Sequence, residues 1–359
     1  MSNLETAPQE EICAAGHAGP RERSLEILEP RLVPLGGPRA MTVRRTLPQR
    51  QRSMVGAWCF LDHYGPDDVS TGPGMHVPPH PHTGLQTVSW LFAGDVLHQD
   101  SVGSVCMVRP GELNLMTAGR GISHSEQSPD PAATRVPVLH GVQLWTALPA
   151  AHLDASPSFE HHGDLPVLHA PGASVRVFLG ELPAQARLGA PDGLRSPATI
   201  FSPLVGAQID LAAGAELTLE LDPTFEHAVL LDTAEQVLVD GDPLARSELG
   251  FLPAGARQVT LRTPDAAARL LLIGGRPFEE EIVMWWNFVG RTHEDIVQAR
   301  ADWERQLSEP SAAGIGGEKS PSPDPVDVAR FGTVVGYDGP SLPAPVLPAV
   351  RLTPRRNAP

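Results

Sequence analysis

The 359-residue sequence has little positive charge. Its 27 lysines and arginines stand against 42 aspartates and glutamates, a formal net charge of −15 at pH 7. Contacts to nucleic-acid phosphates need clustered Lys and Arg, so this balance argues against direct nucleic-acid binding. The sequence also lacks an apolar stretch long enough to span a bilayer, and its start lacks the basic and apolar regions of a signal peptide. We therefore expect a cytoplasmic protein with no membrane segment.

Cysteine and aromatic residues are scarce as well. The three cysteines, Cys13, Cys59 and Cys106, are odd in number and widely spaced, which suits neither a disulfide framework nor a zinc site. This usage fits a reducing compartment. Aromatic residues make up only 5% of the chain, but hydrophobic residues together reach 41%, which is enough for a core. The length allows two domains of ordinary size.

Glycine and proline, by contrast, are abundant, at 34 and 38 residues. Many of them separate short runs of β-forming residues, of which the run at 85–92 is the strongest, with others at 104–109 and 113–117. Strands of five or six residues between regular turns are typical of a sandwich or a small barrel. The sequence therefore predicts an all-β fold.

A pattern in the first half recurs in the second. The run V-L-H-Q-D at 96–100 is echoed by V-L-V-D at 237–240, and V-R-P-G at 108–111 by L-P-A-G at 252–255, about 140 residues later. The echo favours two similar barrels in tandem. The alternative is that turn residues recur in any β protein.

Two short pairs of residues suggest a metal site: His80 with His82, and His124 with Glu126. Residues two apart in a strand point to the same face, so each pair can direct both side chains into one interior. Three imidazoles and one carboxylate form a ligand set for a divalent transition metal, and iron(II) suits mixed nitrogen and oxygen ligands. Any one of the 14 histidines can equally be an ordinary core or surface residue, but the paired spacing favours the metal site.

Residues 199–264 carry no such pair. Between residues 199 and 264 the only histidine is His227. We therefore expect the second barrel to be a metal-free structural partner.

The C-terminal part predicts a helix followed by a tail. Thr292 suits the N-cap position, and Ile296, Ala299, Trp303 and Leu307 recur at helical spacing. Residues 309–324, rich in Pro, Ser and Gly, are expected to form a flexible linker. We expect residues 326–351 to lie extended on the body of the protein, the alternative being a disordered tail.

These observations divide the chain into five parts, with a linker expected at 154–166 between the barrels. The parts are an N-terminal leader and arm (1–40), a metal-binding barrel (41–155), a metal-free barrel (156–278), a segment with the helix (279–308), and a Pro-rich linker and tail (309–359).

Three motifs carry a resemblance to a known family. The runs F-L-D-H-Y-G-P, H-P-H-T-G-L-Q-T-V and R-P-G-E-L-N-L-M-T-A-G-R-G-I-S-H-S-E resemble the pirin family of the cupin superfamily, and the resemblance covers roughly residues 41–307. It implies two tandem cupin barrels of the double-stranded β-helix type, with one metal, usually iron, in the first. The family's ligand positions match His80, His82, His124 and Glu126.

One position departs from the family pattern. Cupins, and many pirins, carry a glutamate beside the metal where this chain has Gln86. A glutamine is neutral and cannot act as a base, which puts in doubt any mechanism that uses this position. Glu126 is then the candidate catalytic base, because one carboxylate oxygen can accept a proton while the other holds the metal.

The resemblance supports a metal-dependent dioxygenase, most simply an iron(II) enzyme that opens quercetin or a similar flavonol with O₂. The alternative is an iron-dependent, redox-sensing regulatory protein that binds another protein. A third hypothesis, a structural β protein with a vestigial site, is opposed by the intact ligand set. We also select candidates for the pocket wall (Met75, Trp90, Asn114, Met116), the alternative being that they simply fill the barrel. His63 and His76 are candidate donors near the metal, the alternative being a place on the surface.

Overall fold

The computed structural model describes residues 25–35, 41–70, 74–129, 136–308 and 329–354. Within these residues the chain forms 25 β-strands, one α-helix and two short 3-10 helices. No helix in this part of the chain has the length and apolar character needed to cross a bilayer. Most of the predicted leader and the whole predicted linker at 309–324 lie outside the described residues.

The first half of the chain builds two sheets and contributes its first strand to a sheet of the second half. Its strands are β1 (Glu26–Leu28), β2 (Arg31–Leu35), β3 (Met41–Leu47), β4 (Trp58–Asp68), β5 (His76–His82), β6 (Leu85–Ala93), β7 (Val96–Asp100), β8 (Val105–Val108), β9 (Leu113–Thr117), β10 (Ile122–Gln127), β11 (Val138–Ala147) and β12 (Ser158–His162). The larger sheet has the order β12-β9-β6-β11-β4-β3-β2, and the smaller one β5-β10-β7-β8. We call the smaller one the ligand sheet, because it carries all four predicted ligands.

The second half repeats this arrangement. Its strands are β13 (Val167–Ala170), β14 (Ala173–Leu182), β15 (Leu194–Arg195), β16 (Leu204–Leu211), β17 (Glu216–Glu220), β18 (Glu226–Leu231), β19 (Gln236–Val239), β20 (Asp242–Ala245), β21 (Leu249–Leu252), β22 (Gln258–Arg262), β23 (Ala268–Gly275), β24 (Val283–Trp285) and β25 (Phe288–Gly290). One sheet runs β1-β21-β18-β23-β16-β14-β13, with β15 paired to β14, and another runs β17-β22-β19-β20.

The two halves share one topology. The order β9-β6-β11-β4-β3 in the first corresponds to β21-β18-β23-β16-β14 in the second, and the ligand sheet corresponds to β17-β22-β19-β20. The first echoed motif lies on equivalent strands, β7 and β19. The second does not, because 108–111 follows β8 whereas 252–255 follows β21. The predicted fold, two cupin units with a C-terminal helix and an extended tail, is confirmed.

The halves differ in what fills them. The interior of the second unit is a cluster of aliphatic side chains that includes Leu217, Leu219, Val259 and Leu261 from the sheet equivalent to the ligand sheet. Because burial of such side chains is favourable, this cluster is an ordinary hydrophobic core.

A shared core joins the units. Trp90 on β6 stacks on Phe178 of β14, with ring centroids 4.8 Å apart, and its indole N–H donates to Gln208 Oε1 at 2.9 Å. The Trp58 indole N–H donates to Gly274 O at 3.0 Å. The selection of Trp90 for the pocket wall was therefore wrong, because the alternation of β6 turns this residue toward the second unit.

The expected linker at 154–166 was also wrong. It contains β12, which pairs along its whole length with β9, Phe159 lying opposite Met116. β9 pairs with β6 on one side, and its other edge can pair with a further strand. Residues 158–162 form that strand although their alternation of apolar and polar residues is weak. Two strands also cross the proposed divisions: β12 belongs to a sheet of the first unit, and β1 pairs with β21 of the second. The division into parts stays a prediction.

Helix α1 (His293–Ser308) begins as predicted. The Asp295 N–H donates to Thr292 Oγ1 at 3.2 Å, and the Thr292 N–H donates to Asp295 Oδ2 at 2.9 Å. This reciprocal pair satisfies donors that the first turn leaves open. Ile296, Ala299 and Trp303 are buried, as the helical spacing predicted.

The tail, residues 329–354, lies extended on the body, as predicted. Phe331 is buried against Trp303 and Phe288. The Ser123 N–H donates to Phe331 O at 3.0 Å, and the Leu342 N–H donates to Pro79 O at 2.7 Å. The tail therefore crosses the ligand sheet next to both strands that carry the predicted ligands.

Candidate metal centre

The predicted ligands lie on neighbouring strands, β5 and β10. These strands are antiparallel, with His124 directly opposite His80 and Ile122 opposite His82. A β-bulge between His124 and Glu126 shifts the register, so Glu126 faces Val77. The alternation of β5 places His80 and His82 on one face, as the H-x-H spacing predicted.

The three imidazoles meet inside the first unit. Their ring centroids are 5.1 Å (His80–His82), 4.4 Å (His80–His124) and 5.0 Å (His82–His124) apart, and one nitrogen from each lies within 4.8 Å of the others. All three side chains have 0% exposure. We call this group the histidine triad.

Burial keeps the triad neutral near pH 7. It lowers the pKa of His80 to about 4. It also holds the pKa values of His82 and His124 well below the ordinary value, and the neighbouring His80 lowers both further. A neutral imidazole has a lone pair to give to a metal, so the buried triad is in the protonation state that ligation needs.

Hydrogen bonds set which nitrogen of each ring faces the centre. His80 Nδ1 donates to Pro78 O at 2.8 Å, and His82 Nδ1 donates to Asn287 O at 3.2 Å. An acceptor on Nδ1 is the usual partner of a histidine that binds metal through Nε2. His124 Nε2 is buried and has no hydrogen-bond partner among the described residues. A metal ion would satisfy this atom, so the donor set fits a bound divalent cation.

Glu126 lies beside the triad. It is 2% exposed and forms a second group with His124 and His98, again with ligand atoms within 4.8 Å of one another. The Ser89 hydroxyl donates to Glu126 Oε1 at 3.4 Å. The structure thus brings all four predicted residues into one buried region, and their joint action as ligands stays a prediction.

His98 is the residue that sequence reasoning missed. It lies on β7, next to β10 in the ligand sheet, directly opposite Glu126. A signal was present: His98 and Asp100 form an H-x-D pair with the spacing that drew attention to His124 and Glu126.

An aromatic pair forms one wall of the centre. The Trp145 ring meets His82 edge-on at 5.3 Å and stacks on Phe60 at 4.0 Å. Of the residues selected for the pocket wall, Met116 shares a buried cluster with this pair, whereas Met75 belongs to another cluster. Asn114 is hydrogen-bonded to His161 through its amide oxygen at 2.6 Å.

Gln86 does not lie beside the triad. Its amide donates to Thr117 Oγ1 at 3.0 Å and to Thr199 O at 3.1 Å. Its neighbour Thr87 pairs with Trp145 on the metal-facing side, so Gln86 faces the opposite side of β6, toward the second half of the chain. The position beside the metal that the family pattern implied for this residue is therefore wrong for this chain.

His63 and His76 also lie elsewhere. His63 Nε2 is 2.8 Å from Asp232 Oδ1, and His140 Nε2 is 2.6 Å from the same oxygen. Arg44 Nε–H donates to His63 Nδ1 at 3.4 Å, which places the histidine proton on Nε2, facing the carboxylate. This third histidine group is a hydrogen-bonded link between the two units. His76 lies near the tail, 3.1 Å from the Tyr337 hydroxyl.

Two cupin units in tandem, with a buried histidine triad in the first, define the class of protein. Family models give the family: the Pirin model matches residues 40–146, and the model of the Pirin C-terminal cupin domain matches residues 206–307. The chain belongs to the pirin family, as the sequence motifs predicted.

Several relatives are similar over most of the chain. A Pseudomonas aeruginosa protein, provisionally named a quercetin 2,3-dioxygenase, is 40% identical over 91% of this chain and 92% of its own. A pirin-like protein of Caulobacter vibrioides is 34% identical over 73% of this chain and 88% of its own. The crystal structure of a quercetin 2,3-dioxygenase from Acinetobacter baumannii is 36% identical, with a TM-score of 0.77, covering 91% of this chain and 97% of the other.

Proposed function

We propose that this protein is a metal-dependent dioxygenase that opens a flavonol ring with O₂. The observation that carries the proposal is the buried triad, whose His124 Nε2 has no partner among the described residues. The names of the Pseudomonas and Acinetobacter relatives support the same reaction class. The substrate would be a small aromatic molecule of the quercetin type.

The ligands would be His80, His82, His124 and Glu126. Three nitrogens and one carboxylate oxygen suit iron(II), although affinity order alone would favour copper. When bound, the metal supplies Lewis acidity toward the substrate hydroxyl and one-electron chemistry toward O₂.

Glu126 would hold the proton that a flavonol hydroxyl loses on binding. Its carboxylate is buried beside His124, and Ser89 donates to Oε1 at 3.4 Å. A base must lie within hydrogen-bond reach of the proton it accepts. Glu126 meets this need best, because a carboxylate oxygen lies within 4.8 Å of a ring nitrogen of His124. The proposal assigns this role to Glu126 and none to Gln86.

Trp145 would fix the direction of His82. Its ring is held between Phe60, stacked at 4.0 Å, and the edge of the imidazole. Because a stacked ring inside a close-packed core has little freedom, His82 keeps one orientation whether or not substrate is present.

The activity can be tested directly. The protein is loaded anaerobically with iron(II), then given quercetin and air, and carbon monoxide release is measured against iron(II) alone. His124→Ala should lose both metal and activity, whereas the exposed His169→Ala should keep both. Glu126→Gln should retain part of the metal and turn over at least about 100-fold more slowly, since a general base contributes that much or more. Wild-type release no greater than the metal-only background would refute the proposed reaction.

A further inference from the structure

A chain of side chains leads from the triad to a buried carboxylate. His124 Nδ1 lies 3.4 Å from His98 Nδ1, and His98 Nε2 lies 3.0 Å from Asp100 Oδ2. The two strands involved, β7 and β10, are directly paired, with His124 opposite Asp100 and Glu126 opposite His98. We call these residues, in the order Asp100–His98–His124, the relay.

Asp100 is fixed at the far end of the relay. Its other oxygen, Oδ1, accepts the Val102 N–H at 3.0 Å and the Ser104 N–H at 2.9 Å, and its side chain has 0% exposure. A carboxylate oxygen has no hydrogen, so Oδ2 can only accept, and His98 must carry its proton on Nε2. The backbone of the β7–β8 turn therefore sets the tautomer of His98.

The tautomer of His98 determines the tautomer of His124. With its proton on Nε2, His98 presents the lone pair of Nδ1 to His124, whose Nδ1 must then carry the proton. The Nε2 of His124 is left with a lone pair, and this is the buried atom without a partner among the described residues. Phe159 holds the His98 ring in place, stacked at 4.5 Å with an interplanar angle of 17°.

We propose that Asp100 and His98 are positioning residues that fix His124 in the tautomer able to bind metal through Nε2. The inference rests on the proposed metal site. His80 and His82 have backbone carbonyls as acceptors on Nδ1, so His124 is the triad member whose Nδ1 is held by a side chain. Partners that orient a ligand histidine typically account for 10- to 100-fold in metal affinity.

The first experiment needs no variant. The protein is labelled with ¹⁵N-histidine, loaded with zinc(II), and its ring tautomers are read by long-range ¹H–¹⁵N NMR correlations. We expect His124 to carry its proton on Nδ1 and His98 on Nε2. A proton on Nδ1 of His98 would overturn the proposal.

The second experiment measures the affinity of the apoprotein for cobalt(II) by competition with a chromophoric chelator. In Asp100→Asn, the amide oxygen keeps the two backbone donors, so its NH₂ group faces His98 and favours the opposite tautomers along the relay. Affinity should fall by about 10- to 100-fold. His98→Phe should fall similarly, and His98→Gln, whose carbonyl can accept from His124, should recover part of the loss.

A matched control is Glu160→Gln, another carboxylate 3.0 Å from a histidine, His162, at a partly exposed site that belongs to no group of candidate ligands among the described residues. It should bind cobalt(II) like the wild type. If Asp100→Asn fails to fold, the comparison of His98→Phe with His98→Gln decides instead. Equal affinity in the wild type and both His98 variants would refute the relay while leaving the metal site standing. A wild type that binds no better than His124→Ala would refute the metal site itself.

Discussion

Gln86 lies one residue before Thr87 on β6, and this single step in sequence separates two environments. Thr87 is opposite Trp145, whose ring touches the triad, whereas Gln86 is hydrogen-bonded to Thr117, Thr146 and Thr199. Because strand side chains alternate, a family motif that is aligned correctly can still point a given residue away from the site. The Gln86 amide therefore stabilises the fold through its hydrogen bonds and does not contact the metal site.

Gln86→Glu is therefore expected to destabilise the protein without improving catalysis. A carboxylate cannot donate to Thr199 O or Thr117 Oγ1, so a buried acceptor would lose its donor, at a cost of about 1–3 kcal/mol in the free energy of unfolding. Urea denaturation checks the stability, and cobalt(II) affinity should stay at the wild-type value. An unchanged stability together with altered metal affinity would show that residue 86 reaches the metal after all.

At the scale of the element, the tail acts together with α1. Phe331 fits between Trp303 of the helix and Phe288 of β25, and its carbonyl accepts hydrogen bonds from the backbone and the hydroxyl of Ser123. Ser123 is adjacent to His124, so the tail is attached to the strand that carries two of the predicted ligands. Helix, tail and β10 thus share one buried contact.

Phe331→Ala should lower the free energy of unfolding by about 3–5 kcal/mol, the usual cost of removing a buried phenylalanine side chain. Val346→Ala, in the same tail but at a residue 83% exposed, is the control and should change little. Thermal and urea unfolding measure both. If Phe331→Ala left the free energy of unfolding unchanged, the tail would not pack as described.

At the scale of the whole molecule, buried polar groups join the units. The Asp232 carboxylate of the second unit lies against His63 and His140 of the first. Burial alone would raise its pKa, but the hydrogen bonds from these histidines keep the pKa below the ordinary value. Burial lowers the pKa of His63, so this histidine resists protonation in the folded state. These groups link the halves in addition to the aromatic core.

The buried histidines predict the response to acid. Burial lowers the pKa of both His80 and His227 from 6.5 to about 4. At pH values between about 4 and 6.5, these histidines bind protons in the unfolded chain but not in the folded protein. The free energy of unfolding therefore falls as the pH decreases through this interval. Each group contributes about 3 kcal/mol over the whole interval.

The measurement is the free energy of unfolding of the apoprotein, by urea titration at a series of pH values. His227→Phe should reduce the slope by about 1.4 kcal/mol per pH unit within this interval. A slope identical to that of the wild type would contradict the assignment of His227 as a buried neutral group.

The class of fold, the tandem repeat, the helix and the residues of the triad could all be predicted from local patterns in the sequence. These depend on local periodicity: alternation within a strand, helical spacing after an N-cap, and H-x-H or H-x-E pairs that must share a face. The spacing of residues along a strand does not depend on what packs against the strand. His80, His82 and His124 could therefore be selected without coordinates.

The contacts between distant elements could not be predicted in this way, because they depend on how the strands pair and pack. The strand at Ser158–His162 exists because β9 offers an edge, Trp90 and Gln86 face the second unit because of the phase of β6 within its sheet, and His98 reaches His124 through the pairing of β7 with β10. None of these is set by neighbours in the chain. They follow from which surfaces are buried together, and that is a property of the assembled sheets alone.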